Sequence, residues 1–299
     1  DQILNGLSTT GVGGVLDQFF SAWQDVGNSP SDPAARAALV SKSQTLATTI
    51  QQTYTQLTGL QQSLDQQVSG QVATLNSLST QVASLNGQIV AAQATGQQPN
   101  DLLDQRDALI SQMSSIAQVG VAQQSDGSVV VSLSGAALVD GTKTTSLTTA
   151  VGSNGFQQVE DPTGRVLTPP GGSLSGLMTM RDSEIPTRLS ALNGWAQRLI
   201  TAVNAAHTGT DPTTGATVTN VYDLVTPGTP VQRQYFTGTG AADIAVNASI
   251  VQNPGLIAAS QTANGSGDGS NALAIAALQQ DTTAGGAAAG VGTLDGQLQ

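Results

Sequence analysis

Residues Ile50–Ile89 read IQQTYTQLTGLQQSLDQQVSGQVATLNSLSTQVASLNGQI. The apolar members are Ile50, Tyr54, Leu57, Leu60, Leu64, Val68, Val72, Leu75, Leu78, Val82, Leu85 and Ile89, separated by gaps of three and four. A mean spacing near 3.5 keeps one narrow stripe on one side of a long helix, and that stripe needs another helix to cover it. The positions between are Gln, Ser, Thr and Asn, and from Ser41 to Pro99 the only charges are Lys42 and Asp65. Neutral polar groups pack against a neighbouring protein without stranding a charge. Length and a muted surface predict a building block, not a catalyst.

Working outward, Asn28-Ser29-Pro30-Ser31-Asp32-Pro33 is a turn that starts the helix, with Asp32 as its N-cap and Pro33 at the first helical position. The helix is expected over about 34–94, through Gly59, Gly70 and Gly87, and ends at Ala94-Thr95-Gly96-Gln97-Gln98-Pro99. Upstream, residues 1–30 read as a loose lead-in and a short helix. Val15, Leu16, Phe19, Phe20 and Trp23 recur there at helical spacing, and this aromatic cluster is expected to dock on the long helix. Downstream, Asn100 is expected to cap a helix over about 101–118. Its face of Leu102, Leu103, Leu109, Ile110, Met113 and Ile116 is the expected first cover for the long stripe.

The period changes near Val119. Val119, Val121, Val129, Val131, Leu133 and Leu138 lie among Ser and Gly, with turn signals at Ser125-Asp126-Gly127, Asp140-Gly141 and Asp161-Pro162-Thr163-Gly164. This predicts a β unit of four or five strands over 119–170. Pro169-Pro170-Gly171-Gly172 returns the chain to helix, with a second stripe from Leu174 to Val203. Pro186 predicts a kink or break near Ser183–Ile185. Residues 208–271 are loop-rich with a few strands, Ala263–Gly269 reads as flexible, and a helix restarts at Ala272–Leu278. The expected class is α+β: an elongated antiparallel helical bundle, coiled-coil-like, with a small inserted β domain. Its expected parts are 1–118 (long-helix part), 119–171 (β domain), 172–207 (returning helix), 208–262 (loop and β) and 263–299 (helical segment and Gly/Ala-rich tail).

The 299 residues carry 20 acidic and 9 basic side chains, a net charge of −11. Phosphate binding needs clustered Lys and Arg, so nucleic acid is not an expected partner, and no basic stripe favours a membrane. Aromatics are 3% of residues, low for a compact core of this size, whereas 38% hydrophobic content sets the chain apart from disordered sequences. Cysteine is absent, which excludes disulfides and Cys-based zinc sites. No apolar run reaches the length of a membrane span, and no signal peptide opens the chain. It begins at Asp1 without Met, so a trimmed chain is expected and the missing signal says little about destination.

Chemistry-bearing residues are few. His207 is the sole histidine. It lies at the end of a helical pattern, where a structural role with the last carbonyls is expected. Asp101, Asp104 and Asp107 beside Arg106 complement a helix start and pair locally, and Glu184 with Arg188 is an i,i+4 surface pair. Asn264–Gly269 resembles half of a calcium loop, but Ile275 stands where the twelfth-position Glu is required. Gly238-Thr239-Gly240 lacks the third glycine of a dinucleotide fingerprint. The expectation is no catalytic, cofactor-binding or metal-binding residue, and no cofactor.

Four segments together resemble the hook-associated protein 1 family of the bacterial flagellar hook–filament junction. They are Asn28-Ser29-Pro30-Ser31-Asp32-Pro33-Ala34-Ala35-Arg36; Pro99-Asn100-Asp101-Leu102-Leu103-Asp104-Gln105-Arg106-Asp107; Gly172-Ser173-Leu174-Ser175-Gly176-Leu177 with Arg181-Asp182; and Ala202-Val203-Asn204 leading to His207, Gly209 and Asp211. Their order and spacing are similar to that family over about 15–280. The resemblance implies a structural, non-enzymatic subunit exported through the flagellar channel without a cleaved signal peptide and located outside the cell. Implied partners are copies of itself in a layer, the hook protein, the neighbouring junction protein and an export chaperone. The family's terminal segments, which pair into an inner coiled coil, are not recognised here, which fits a trimmed chain able to stay monomeric. After Asp211 the chain is short, so a further outer β domain is not expected. The alternatives are another axial flagellar protein (the second junction protein or a flagellin) and a secreted coiled-coil adhesin with a β head. An enzyme using paired carboxylates is the remaining class, and nothing in the sequence places two of them across a cleft.

Overall fold

A computed structural model of the chain describes residues 11–280. The expected lead-in before Gly11 and the Gly/Ala-rich tail after Gln280 lie outside the described residues. The chain divides into two compact units, one formed by residues up to Thr58 and from Thr187 onward, the other by Gly59–Pro186.

Helix α2, Pro33–Ala94, has 62 residues and contributes residues to each unit. Asp32 caps it, accepting from the Ala34 amide at 2.9 Å. The predicted stripe is its inward face: Ile50, Val68, Leu75, Val82 and Ile89 are fully buried, with Leu57 and Val72 close behind.

In the Gly59–Pro186 unit, α3 (Asn100–Ile116) follows α2. Asn100 is the first helical residue and not the cap. Pro99 holds the cap position, and its carbonyl accepts from the amides of Leu102 and Leu103, both at 3.1 Å. Seven short strands come next, not four or five. Strands β1 (Gly120–Gln123), β2 (Val129–Leu133), β3 (Ala136–Asp140) and β4 (Lys143–Thr144) form one antiparallel sheet in chain order. Strands β5 (Thr148–Val151), β6 (Gln157–Glu160) and β7 (Val166–Leu167) form a second. The predicted turns at Asp126-Gly127, Asp140-Gly141 and 161–164 are present. An unpredicted two-residue turn joins β2 to β3, with Ser134 and Gly135 at φ 49° and 81°, the left-handed pair that suits a tight hairpin. A register shift between Val131 and Ser132 bends β2.

The core of this unit joins the α2 stripe from Val68 to Ala83 to Met113 of α3, with Leu109, Ile110 and Ile116 of α3 packed against it as expected, and to Leu174. Strand residues Val129, Val131, Leu133, Leu138, Val139, Val159 and Leu167 belong to the same core, because β2 turns every second side chain inward.

Helix α4 (Gly172–Thr179), a π-helical turn (Met180–Glu184) and α5 (Ile185–Thr208) form the second helical run. The π turn sits where Pro186 predicts a break. Proline supplies no N–H to the carbonyl four residues back, and one widened turn accommodates the ring.

In the other unit, α1 (Val12–Asn28) meets α2 as expected, Lys42 donating to Gln18 at 2.8 Å. A second helix, α7 (Ser270–Ala277), also packs against α1. The two run antiparallel: a Cβ on Gly269 would sit 2.0 Å from the Gly27 carbonyl, and at the other end Gln279 donates to Asp17. The α1 rings meet the chain between α5 and α7, with Trp23 5.0 Å from Tyr235 and Phe19 5.7 Å from Phe236. A two-strand ladder, β8 (Phe236–Thr237) with β9 (Ala245–Val246), and the short helix α6 (Ala248–Gln252) complete it. Residues 263–269, expected to be flexible, are tied down by Asp268, whose carboxylate accepts from the Gln261, Thr262 and Ser270 amides and the Ser260 hydroxyl.

Candidate functional site

The surface feature that stands out is the outer side of α2. Between Ser43 and Pro99 the only charged residue is Asp65. It faces inward: Arg181 donates to its Oδ1 at 2.6 Å, and the Gln157 amide donates to the same oxygen at 2.8 Å. Apart from Lys42 near its start, which is exposed and donates to Gln18 at 2.8 Å, what α2 shows to solvent, including Gln52, Gln56, Gln62, Gln66, Thr74 and Thr80, is uncharged. Many hydroxyls already donate to their own helix: Thr45, Thr49, Thr55, Thr74 and Thr80 each bond the carbonyl four residues back at 2.9–3.1 Å. A surface whose donors are satisfied internally is cheap to cover, since little hydration has to be replaced.

Three asparagines on the helices act as clamps on irregular backbone. Asn76 donates to the Leu147 carbonyl at 2.9 Å and accepts from the Leu147 amide at 2.8 Å, as a strand partner would. Fully buried Asn86 donates to the carbonyls of Val129 and Gly141 at 3.0 and 2.8 Å and accepts from Val129. Asn204 accepts from the amides of Tyr235 and Phe236 and donates to the Phe236 carbonyl, all at 2.8–2.9 Å. In a sequence these residues read as part of a neutral helix face, so their role was not foreseen.

Three arginines are buried as well. Arg36 donates to the carbonyls of Pro30, Pro254 and Ile257 at 2.6–3.1 Å. Burial pulls its pKa down to about 10, partly offset by Asp223, so it stays charged at neutral pH. Arg106 donates to the Gly127 carbonyl at 2.9 Å and lies 3.7 Å from exposed Asp107. Arg181, wholly enclosed, forks onto both oxygens of Asp182 at 2.7 and 2.8 Å, bonds Asp65, and donates to the Gln157 carbonyl at 2.8 Å. Burial works against its charge, but the bonds to Asp182 and Asp65 outweigh that and hold its pKa above the ordinary value. Its guanidinium also lies 5.4 Å from the Phe156 ring centroid.

His207 is structural, though by a different device from the one expected. It does not address the last turn of its helix. Nδ1 lies 2.8 Å from the Arg233 carbonyl and Nε2 accepts from the Ala258 amide at 3.0 Å, which fixes a neutral ring protonated on Nδ1. Burial holds its pKa down at about 4. The Asp101/Asp104/Asp107 series is not gathered round a cleft: Asp101 lies in the first turn of α3 and Asp107 stands in solvent beside Arg106. Gly238–Gly240 belongs to the turn joining β8 to β9, where Asp243 accepts from the amides of Thr239 and Gly240. Among the described residues no group of three or more His, Asp or Glu side chains is placed to hold a metal, and no helix is long and apolar enough to cross a membrane.

The helical domain of the flagellar hook-associated protein FlgK, taken as a family, matches residues 1–221. The chain belongs to this family. Among its relatives, flagellar hook-associated protein 1 of Salmonella typhimurium is 28% identical over 220 residues, covering 70% of this chain and 40% of that protein. The protein of the same name from Escherichia coli K12 is 27% identical over 212 residues, covering 67% and 39%. The solved structure of the flagellar hook junction protein FlgK from Burkholderia pseudomallei superposes with a TM-score of 0.63 at 29% identity, over 79% of this chain and 42% of that one. The chain thus spans about 40% of the length of the curated relatives it matches. Each of the four segments that carry the family resemblance contributes a buried polar residue to the clamps: Arg36, Arg106, Arg181, and Asn204 with His207.

Proposed function

We propose that this chain is part of a structural subunit of the bacterial flagellum that joins hook to filament by protein–protein packing and is not an enzyme. Family membership is the observation that carries the reading. The side of α2 after Lys42, whose exposed residues carry no charge, supports it physically, because copies carrying a net charge of −11 associate most readily through faces that bring no like charges together. Buried arginines and asparagines that hold backbone suit a part whose task is stiffness. The proposed partners are copies of the same chain in a layer, the hook protein on one side and the neighbouring junction protein on the other, with a chaperone during export. The proposed location is extracellular, in the flagellum, reached without a cleaved signal peptide. The division into 1–118, 119–171, 172–207, 208–262 and 263–299 stands as a proposal for how the parts contribute.

Electron microscopy of a strain lacking the gene tests this. Hooks without filaments, with filament subunits lost to the medium, are expected; normal filaments would overturn the reading. The adhesin alternative predicts a stable trimer of the purified chain in sedimentation, formed through Leu64, Leu75, Leu78 and Leu85. Leu75 is fully buried and the other three nearly so within a single chain, which disfavours it.

A further inference from the structure

We propose that residues 254–280 form an acid-released latch, closed by the neutral ring of His207. The ring is fully enclosed and sits between two backbone groups of opposite kind: it donates from Nδ1 to the Arg233 carbonyl at 2.8 Å and accepts at Nε2 from the Ala258 amide at 3.0 Å. A proton added at Nε2 turns the acceptor into a donor facing another donor. The imidazolium therefore cannot form while Ala258 is in place.

The charges around the ring reinforce this. Arg36 on α2 and Arg233 in the loop before β8 are cationic neighbours, and Asp223, 3.4 Å from Arg233, is the carboxylate that acts on the site among the described residues. Trp23 and Tyr235, with ring centroids 6.4 and 5.4 Å away, close the remaining sides without charge. A protonated ring would add a third positive charge beside Arg36 and Arg233 in a fully buried site.

What hangs on Ala258 makes the effect local. The Asn271 side chain donates to the Ala258 carbonyl at 2.7 Å, and the amides of Asn271 and Ala272 both donate to the Ala259 carbonyl at 3.0 and 3.1 Å. These bonds anchor the start of α7. On the other side, Arg36 bonds the carbonyls of Pro254 and Ile257. Moving Ala258 away from a protonated His207 therefore loosens 254–260 and α7 together, while the Gly59–Pro186 unit holds no histidine and gives no response in the same pH range.

The sign follows from linkage. Opening gives His207 its ordinary pKa of 6.5, against about 4 when closed. The opening equilibrium then rises close to tenfold for each pH unit lost between these values, about 300-fold in all. Because His207 is the chain's sole histidine, its ring signals in a nuclear magnetic resonance titration are unambiguous. Hydrogen exchange of the whole chain, corrected for intrinsic rates, reads the opening. The expected result is a ring that stays neutral well below pH 6, with protection at Ala258, Asn271 and Ala272 falling about tenfold per pH unit while Gly59–Pro186 is unchanged. His207→Gln, which keeps an acceptor but does not titrate, is expected to remove the pH dependence. A ring that titrates near 6.5 with protection intact would overturn the latch. So would equal loss of protection in both units, or an unchanged pH profile in the Gln variant.

Discussion

Replacing Arg181 with Met is expected to lower the stability of the Gly59–Pro186 unit by about 3–5 kcal/mol, the usual cost of removing one partner of a buried ion pair. The structure supplies the reason for the high figure. The guanidinium has no solvent exposure, and its bonds at 2.6–2.8 Å reach Asp182 on the π turn, Asp65 on α2 and the Gln157 carbonyl on β6. Met fills the volume but leaves Asp65, whose side chain is 19% exposed, as a half-buried carboxylate with only the Gln157 amide for partner. Urea unfolding followed by far-UV circular dichroism measures the loss; with a slope of about 2 kcal/mol/M the midpoint falls by roughly 1.5–2.5 M. Both tryptophans, Trp23 and Trp195, lie in the other unit, so the shift should be larger by circular dichroism than by tryptophan fluorescence. In a double-mutant cycle with Asp65→Asn the two residues should show coupling of about 1–3 kcal/mol. A loss under about 1 kcal/mol, or additive single effects, would refute the view that this arginine holds three elements together.

Other substitutions test the remaining parts. Gly269→Ala should weaken the α1–α7 contact by about 1–3 kcal/mol, because the new Cβ meets the Gly27 carbonyl, backbone against backbone; the tryptophan-detected transition reads it. Asn86→Ala removes two donated bonds and two accepted bonds in a fully buried site and should cost about 2–4 kcal/mol in the circular dichroism transition. Leu75→Ala, at the centre of the α2 stripe with no exposure, should cost about 2–5 kcal/mol. The same unfolding curves would show a negligible change if that residue were not packed.

The course of α2 was legible because one signal, a 3.5-residue period sustained from Ile50 to Ile89, outweighs three glycines, and because Asp32-Pro33 marks the start. The strands were under-counted for a plain reason: β4 and β7 are two residues long, and β4, Lys143–Thr144, is exposed throughout, so neither offers an alternation to read. The turn at Ser134-Gly135 escaped because Ser is an uncommon residue at positive φ. The part strands play in the core around the stripe was also illegible, since a row of Leu and Val on a helix looks the same whether a helix or a sheet lies on it. Arginine reads as surface until a fold encloses it, and Asn76 and Asn86 are indistinguishable in sequence from the Gln and Ser around them. The resemblance segments were the usable signal. Within an otherwise muted sequence they place Arg36, Arg106, Arg181, Asn204 and His207, the residues that turn out to fasten loops to helices.

The loop 263–269 shows how a failed motif still carries information, and it leads to a final expectation. Asp268 sits in a run that resembles a calcium loop, yet its carboxylate already accepts from three amides and a hydroxyl at 2.8–3.0 Å. These bonds outweigh burial, which acts in the opposite direction, and hold its pKa well below the usual carboxylate range. The oxygens a cation would need are occupied by N–H and O–H donors. Calcium at millimolar concentration is therefore expected to leave the thermal transition of the chain unmoved, and a rise of several degrees would show that the loop opens to coordinate it. Asp268→Ala should destabilise the unit containing α7 by about 1–3 kcal/mol at pH 7. The sign with pH is fixed: the stabilisation is complete above the ordinary carboxylate pKa and fades as acid protonates the folded carboxylate, so wild type and variant should converge toward pH 2. This lies below the range in which His207 acts, so a pH series on the two single variants separates the catch of the latch from the loop that braces it.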